Sequence, residues 1–337
     1  MRLFYLALFT LWLVITGCNS NKPAGENQTI IKGTINYPKS NKVYLFGYAS
    51  TVDKYLLNKT AIDSAQLDNK GDYFFSLKRN KPDLFDLRNG TTDLASNLYL
   101  SPHDNLIINF PAPDQKPIVI ENSDAAKYNQ FIIDFIDSFY INPKIKHFYY
   151  IATNYLDADE YITYCNDRQN KQLSFYRNYF GSDDINPDFN KLMINDINYQ
   201  SAVDRLMYAW KKRMKGENSK IDSSYYNFIT PSLIENKEAL ESPAYMRFLY
   251  LYIKDKYERM VEKGELPRSK TEKLIPAVEV YKLATANLNH PYRDVVLYNL
   301  VLSDWKTINK KEYPGYSITP LDTLISWLRI QYPDKGI

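Results

Sequence analysis

The chain has 337 residues, 45% hydrophobic and 24% charged, which are globular proportions and exclude a disordered tail. Its net charge of +3, one unit of it from Arg2, provides no strongly basic face and argues against nucleic acid as a partner. Two cysteines are too few for a disulfide framework.

The first eighteen residues set the terms for the rest. Met1-Arg2 is a short basic start, residues 3–15 are an apolar run, and Ile15-Thr16-Gly17-Cys18 closes it. That order is the pattern of a secretory signal peptide, and the run falls short of the roughly 20 apolar residues a membrane span needs. Ending on cysteine, it resembles a bacterial lipobox. The resemblance implies that the Cys18 thiol takes a diacylglycerol, that the chain is cut before it, and that the new amine is acylated. Cleavage there leaves about 320 residues, enough for one large domain or two ordinary ones. Cys165 would then have no partner within the chain, in a compartment that permits disulfides. Residues 19–28 are polar, with Pro23 and Gly25, and read as a flexible tether. Asn19 stands where an inner-membrane retention signal would have Asp, and no acidic cluster follows. The expected address is the cell envelope, lipid-anchored on the periplasmic face of an outer membrane, with the membrane a partner through Cys18.

Residues 29–121 read as short strands separated by turns. Ile31, Gly33 and Ile35 alternate with polar neighbours, and Val43-Tyr44-Leu45-Phe46 follows a Pro38/Ser40/Asn41 break. The run from Thr60 to Leu67 leads through Asp68-Asn69-Lys70-Gly71, a turn whose glycine supplies positive φ. Tyr73-Phe74-Phe75-Ser76-Leu77, Leu84-Phe85-Asp86-Leu87, Leu98-Tyr99-Leu100, Leu106-Ile107-Ile108 and Ile118-Val119-Ile120 continue the series. Strands at this spacing with no helical stretch between them predict an antiparallel β-sandwich or open barrel.

Three stretches carry a family resemblance: Ile31-Lys32-Gly33-Thr34-Ile35, residues 62–75, and Leu98-Tyr99-Leu100-Ser101-Pro102-His103-Asp104-Asn105-Leu106. Together they are similar to the small β domain at the front of TlpA/ResA-like thiol–disulfide oxidoreductase lipoproteins. The resemblance implies a β domain serving as an accessory or binding module, then a helical region, then a thioredoxin fold with Cys-x-x-Cys. The last motif departs from the family, which has Pro-Gly-Asp where this chain has Pro102-His103-Asp104.

From Ser123 the apolar period lengthens to that of a helix. Ser123 is the expected N-cap of a helix striped by Tyr128, Phe131, Ile132, Phe135, Ile136 and Phe139 and ended by Pro143. A more polar helix through Tyr161, Ile162, Cys165, Leu173, Tyr176 and Phe180 is expected to stop at Gly181, and a third to run from Asp188 to Lys211-Lys212-Arg213. Residues 215–222 read as a polar loop. Ser242-Pro243 marks the sharpest helix start, with Gly264 as its stop. Further helices are expected beyond the capping-box pattern Ser269-Lys270-Thr271-Glu272 and Pro276, after Asn289-His290-Pro291, and at Thr319-Pro320. The fold class is therefore α+β and multidomain: signal peptide 1–18, tether 19–28, β domain 29–121, and an α-helical bundle or array over 122–337.

Little chemistry is announced. Cys165-Asn166-Asp167-Arg168 lacks the second thiol of a redox pair, and Cys165 falls on an apolar helix face where an inert buried thiol is normal. His103, His147 and His290 are far apart in the chain, with no metal-ligand spacing. His103 reads as a turn residue facing water. Asp183-Asp184 and Asp157/Asp159 sit where loops and capping account for them, and Lys211-Lys212-Arg213 reads as a solvated helix end. The 30 tyrosines suit either a sugar- or protein-binding surface or, as the composition favours, an aromatic core. No catalytic residue, cofactor or metal is expected, and Cys18 is the one modification site. Three functions stay open: a non-catalytic accessory or binding module docking an envelope protein partner; a thiol–disulfide component whose Cys-x-x-Cys domain is missing or on another chain; and a glycan or peptide binder using surface tyrosines.

Overall fold

A computed structural model describes residues 28–309, except 50–52, 55–56, 113–114, 121–122, 218–220 and 267–276; residues 277–278 and 301–309 are described by their backbone alone. The leader with Cys18, the tether up to residue 27, the pattern at 269–272, Pro276 and the helix expected at Thr319-Pro320 lie outside the described residues.

Eight strands build two four-stranded sheets. β1 (Thr29–Thr34), β4 (Asp72–Leu77), β7 (Asn105–Asn109) and β8 (Ile118–Val119) form one in the order β4-β1-β7-β8. β2 (Lys42–Gly47), β3 (Thr60–Gln66), β5 (Asp83–Asn89) and β6 (Thr92–Leu100) form the other in the order β3-β2-β5-β6. Alternation puts Val43 and Leu45 of β2, Tyr73 and Phe75 of β4, and Leu106 and Ile108 of β7 on inner faces, where they share one core with Phe85, Leu87, Leu98 and Leu100. The two sheets thus form a sandwich. One pairing departs from the antiparallel expectation: β1 runs parallel to β7, with Ile31 opposite Leu106. A parallel pair needs a long crossover, and here the whole second sheet supplies it. Gly33 makes the close approach workable, since a Cβ there would lie 1.9 Å from the Ile108 carbonyl oxygen. Gly71 closes the 68–71 turn at φ 82°, with its missing Cβ facing the Ile35 carbonyl.

The helical region follows. Ser123 caps α1 (Asp124–Ile136), its side chain accepting from Ala126 N. Beyond Ile136 the helix continues as a π-helical turn, Asp137–Ile141, and stops just before Pro143 as expected. Pro143 does more than end that helix. It opens α2 (Pro143–Tyr155), with Asn142 as N-cap, because proline at a first helical position gives up a donor that would be unpaired anyway. α3 (Ala158–Phe180) stops at Gly181, φ 58°, as expected. α4 (Pro187–Met214) starts a residue earlier than the expected Asp188, with Asn186 as its cap. α5 (Pro243–Glu262) has Ser242 as N-cap and is followed by Gly264 at φ 75°. α6 (Ala277–Asn287) and α7 (Tyr292–Asn309) complete the array. Among the described residues no helix is long and apolar enough to cross a membrane.

α4 is the spine, about 42 Å long at 1.5 Å per residue. Its first turns join α1 and α3 in an aromatic cluster around Phe131, Tyr176, Phe180 and Phe189. Its middle faces α5, α6 and α7 through Tyr199, Val203 and Leu206. Its last turns meet α2 and α3 around Tyr161, Tyr208 and Tyr225. Tyrosine does much of this packing: fourteen among the described residues are buried. Several tie their hydroxyls to backbone carbonyls at element ends, Tyr208 to Leu156 O (2.8 Å), Tyr199 to Leu233 O (2.9 Å) and Tyr245 to Ile234 O (2.6 Å). A phenol can fill a core and satisfy an orphan carbonyl at once, which an isosteric phenylalanine cannot.

Candidate functional site at the seam of sheet and helices

The β5–β6 pair is covered on both sides. Phe85, Leu87, Leu98 and Leu100 point into the sandwich, while Leu84 and Tyr99 point out into the aromatic cluster of α1, α3 and α4. Tyr99 meets Phe189 edge-on, with ring centroids 5.0 Å apart. Asn129 of α1 locks the junction. Its Oδ1 accepts from Tyr99 N (2.8 Å), and its Nδ2 donates to Tyr99 O and Ala125 O (2.7 Å each). A buried helix side chain thus takes the place of a neighbouring strand for one residue of β6.

Beside this lock lies a cavity of about 170 Å³, bounded by Lys54, Lys81, Asp83, Tyr99, Asp188 and Glu241 among others. Its charged lining holds both signs. Lys54 is buried and faces Asp83 (3.8 Å) from the sheet and Glu241 from the start of α5. The Tyr99 hydroxyl is buried with no hydrogen-bond partner of normal geometry among the described residues. Burial pushes this phenol up to about 12, with Ser101 nearby pulling the other way, so it stays protonated at neutral pH. The cleft offers ammonium and carboxylate groups around a wall backed by the buried Tyr99. Such a lining can hydrogen-bond and ion-pair a small polar molecule or a partner's side chain. Two other cavities lie elsewhere, one of about 570 Å³ along Phe139 and Lys171, the other of about 210 Å³ between Arg213, Tyr226 and Arg259.

The residues singled out from sequence are not gathered at this cleft. Cys18 lies outside the described residues. Cys165 is buried among Tyr161, Tyr208 and Tyr225, and burial pushes its thiol up to about 12, far from a reactive thiolate. His103 is exposed on the β6–β7 turn at φ 70°, the left-handed geometry that favours glycine. His147 lies on α2, and His290 Nδ1 is 2.9 Å from Asp294. Among the described residues no cluster of His, Cys, Asp and Glu could hold a metal ion. Asp157 forms a full capping box with Glu160, and Asp183 pairs with Lys127.

The basic run at the end of α4 differs from a solvated helix end. Lys212 is buried, 3.4 Å from Glu217. Arg213 joins Asp255 (3.3 Å) and Glu262 (2.7 Å), with Arg259 completing the Asp255 network at 2.9 Å. Lys211 lies over the Tyr150 ring and Lys212 over the Tyr208 ring. A second ion pair, Arg168 Nη1 to Asp204 Oδ2 at 2.5 Å, is buried where α3 meets α4.

The cleft and its lock were missed from sequence; the available signal was the unalternating Leu98-Tyr99-Leu100, which marks a strand buried on both faces. Compared with known proteins, the chain matches no family model and no curated sequence.

Proposed function

We propose that this chain is a lipid-anchored cell-envelope lipoprotein acting as a non-catalytic accessory or binding module. The observation that carries this reading is the leader: a basic start, the apolar run at 3–15, and Cys18 directly after Thr16-Gly17. The acylated cysteine holds the body on the periplasmic face of an outer membrane, and residues 19–28 give it reach. The seam cleft, with Lys54, Asp83, Asp188 and Glu241 around it, is the docking place within the body. A relationship to TlpA/ResA-like lipoproteins is part of the proposal. Its three motifs fall on β1, on β3 through β4, and on β6 through β7, so they mark strands and turns of the sandwich. The alternative that keeps closest to that relationship is a thiol–disulfide component whose Cys-x-x-Cys lies on another chain. A glycan or peptide site built on surface tyrosines draws less support, because exposed Tyr37, Tyr150 and Tyr155 line none of the three cavities.

Cell fractionation tests the anchor. The wild-type protein is expected in membranes after an alkaline carbonate wash, which strips peripheral contacts. Cys18→Ser is expected to abolish that wash-resistant fraction. An unchanged wash-resistant fraction in the variant would remove the proposal.

A further inference from the structure

α2 is poorly covered for a helix in a packed array. It buries only Ala152 and Thr153. Phe148, Tyr150 and Tyr155 are 60%, 56% and 72% exposed, and Ile141 just before it is 54% exposed. The end of α4 extends the same surface. Lys211 Nζ lies 5.9 Å over the Tyr150 ring, and Lys215 Nζ is 3.1 Å from Asn154 Oδ1. Met214, 67% exposed, and Trp210, 44% exposed, sit on that last stretch of α4. Six of the ten large apolar side chains exposed among the described residues therefore fall in two neighbouring segments. The helix itself carries one sign of charge: residues 143–156 hold Lys144 and Lys146 and no acid, while Asp157 and Glu217 stand at the border of the surface.

Exposed aromatic and apolar side chains beside lysines, on a helix without carboxylates, are the makings of an interfacial surface. Rings with polar tips settle at headgroup depth, while lysine stems run along the apolar layer and deliver ammonium groups to phosphate. We infer that the α2 face, with the end of α4, is a second membrane contact that docks the folded body on anionic phospholipid headgroups. The inference rests on the lipoprotein reading only for the nearness of the bilayer. A tether over residues 19–28 would keep the fold within about 35 Å of an acylated Cys18, even fully extended. Two contacts would then replace one, and a single swinging anchor becomes an oriented body.

The test uses the full chain carrying Cys18→Ser, so that no acyl group contributes. It is floated with vesicles of phosphatidylglycerol and phosphatidylethanolamine, and with phosphatidylcholine vesicles as comparison. The chain is expected to float with the anionic vesicles and to lose partitioning at high salt. Phe148→Ser with Tyr155→Ser, or Lys211→Glu with Lys215→Glu, is expected to lower partitioning by about 10-fold or more with unchanged circular dichroism. Brominated acyl chains are expected to quench Trp210, read as the difference from Trp210→Phe. Flotation that is insensitive to these substitutions, with Trp210 unquenched, would assign binding to the leader and overturn the inference. So would failure to float, or a solution dimer that the same substitutions dissolve. The anchor and this face fail separately: a bare Cys18 in cells leaves the vesicle result standing, and an acylated Cys18 does not supply it.

Discussion

Replacing Arg168 with leucine is expected to destabilise the fold by about 3–5 kcal/mol at neutral pH, because it strands a buried carboxylate. Arg168 Nη1 lies 2.5 Å from Asp204 Oδ2, its Nη2 donates to Phe139 O at 3.3 Å, and its guanidinium stacks over the Tyr140 ring at 4.8 Å. Arg168 is the largest stabilising partner of Asp204; Gln200 Nε2 donates to the other carboxylate oxygen at 2.8 Å, and the Tyr149 hydroxyl and Arg247 add smaller support. Burial pushes the Asp204 carboxyl up, and the Arg168 guanidinium opposes that rise. Removing the guanidinium raises it further. A carboxyl with a raised folded-state pKa holds its proton more tightly when folded. Its contribution is fully present below the unfolded value, about 4, and is lost as pH rises through the folded one. The deficit of Arg168→Leu relative to wild type is therefore expected to be largest at neutral pH and to shrink toward pH ~4, where Asp204 is neutral. Urea melts at several pH values measure this. A deficit that is flat with pH would show that lost packing, rather than the stranded charge, dominates.

Asn129→Ala is the second large effect, and it reports on the junction between sheet and helices. Without the Asn129 amide, the buried backbone N–H and C=O of Tyr99 both lose their partners. At roughly 1–3 kcal/mol for each orphaned group, the expected loss is about 2–5 kcal/mol. Asn129→Asp restores the acceptor for Tyr99 N but removes the donor and buries a charge, so it is expected to be no better than alanine. Hydrogen exchange at the Tyr99 amide is expected to accelerate in both variants by far more than at β2. Equal acceleration at β2 would mean that the sandwich and helices open together and that Asn129 is not a local lock.

Strands and sharp helix starts were open to reading from sequence because each depends on neighbours a few residues away. Alternation in Val43-Tyr44-Leu45 and Tyr73-Phe74-Phe75 set inner and outer faces, and Ser123 and Ser242-Pro243 marked helix starts through their own side chains. The parallel β1–β7 pair was not legible, since strand direction depends on where a distant segment returns. α2 was hidden for a different reason. Pro143 read as a stop, which drew attention away from the amphipathic stretch behind it. Asn142-Pro143 and Asn186-Pro187 repeat the logic of Ser242-Pro243, a capping side chain followed by a proline that needs no donor. Reading all three alike would have found both starts. The partners of Arg213 were beyond reach because Asp255 and Glu262 come from α5, 42 and 49 residues on. The seam cleft lay further off still. Nothing local tells that the outer face of Tyr99 meets α4, or that Lys54 settles against Glu241.

The intact mass of the mature protein, taken from membranes with its amino-terminal peptide, tests the central claim most directly. A chain beginning at Cys18, with a diacylglyceryl group on its sulfur and an acyl group on its amine, is the predicted result. A mature chain that begins elsewhere, or a Cys18 whose sulfur is unmodified, would contradict it.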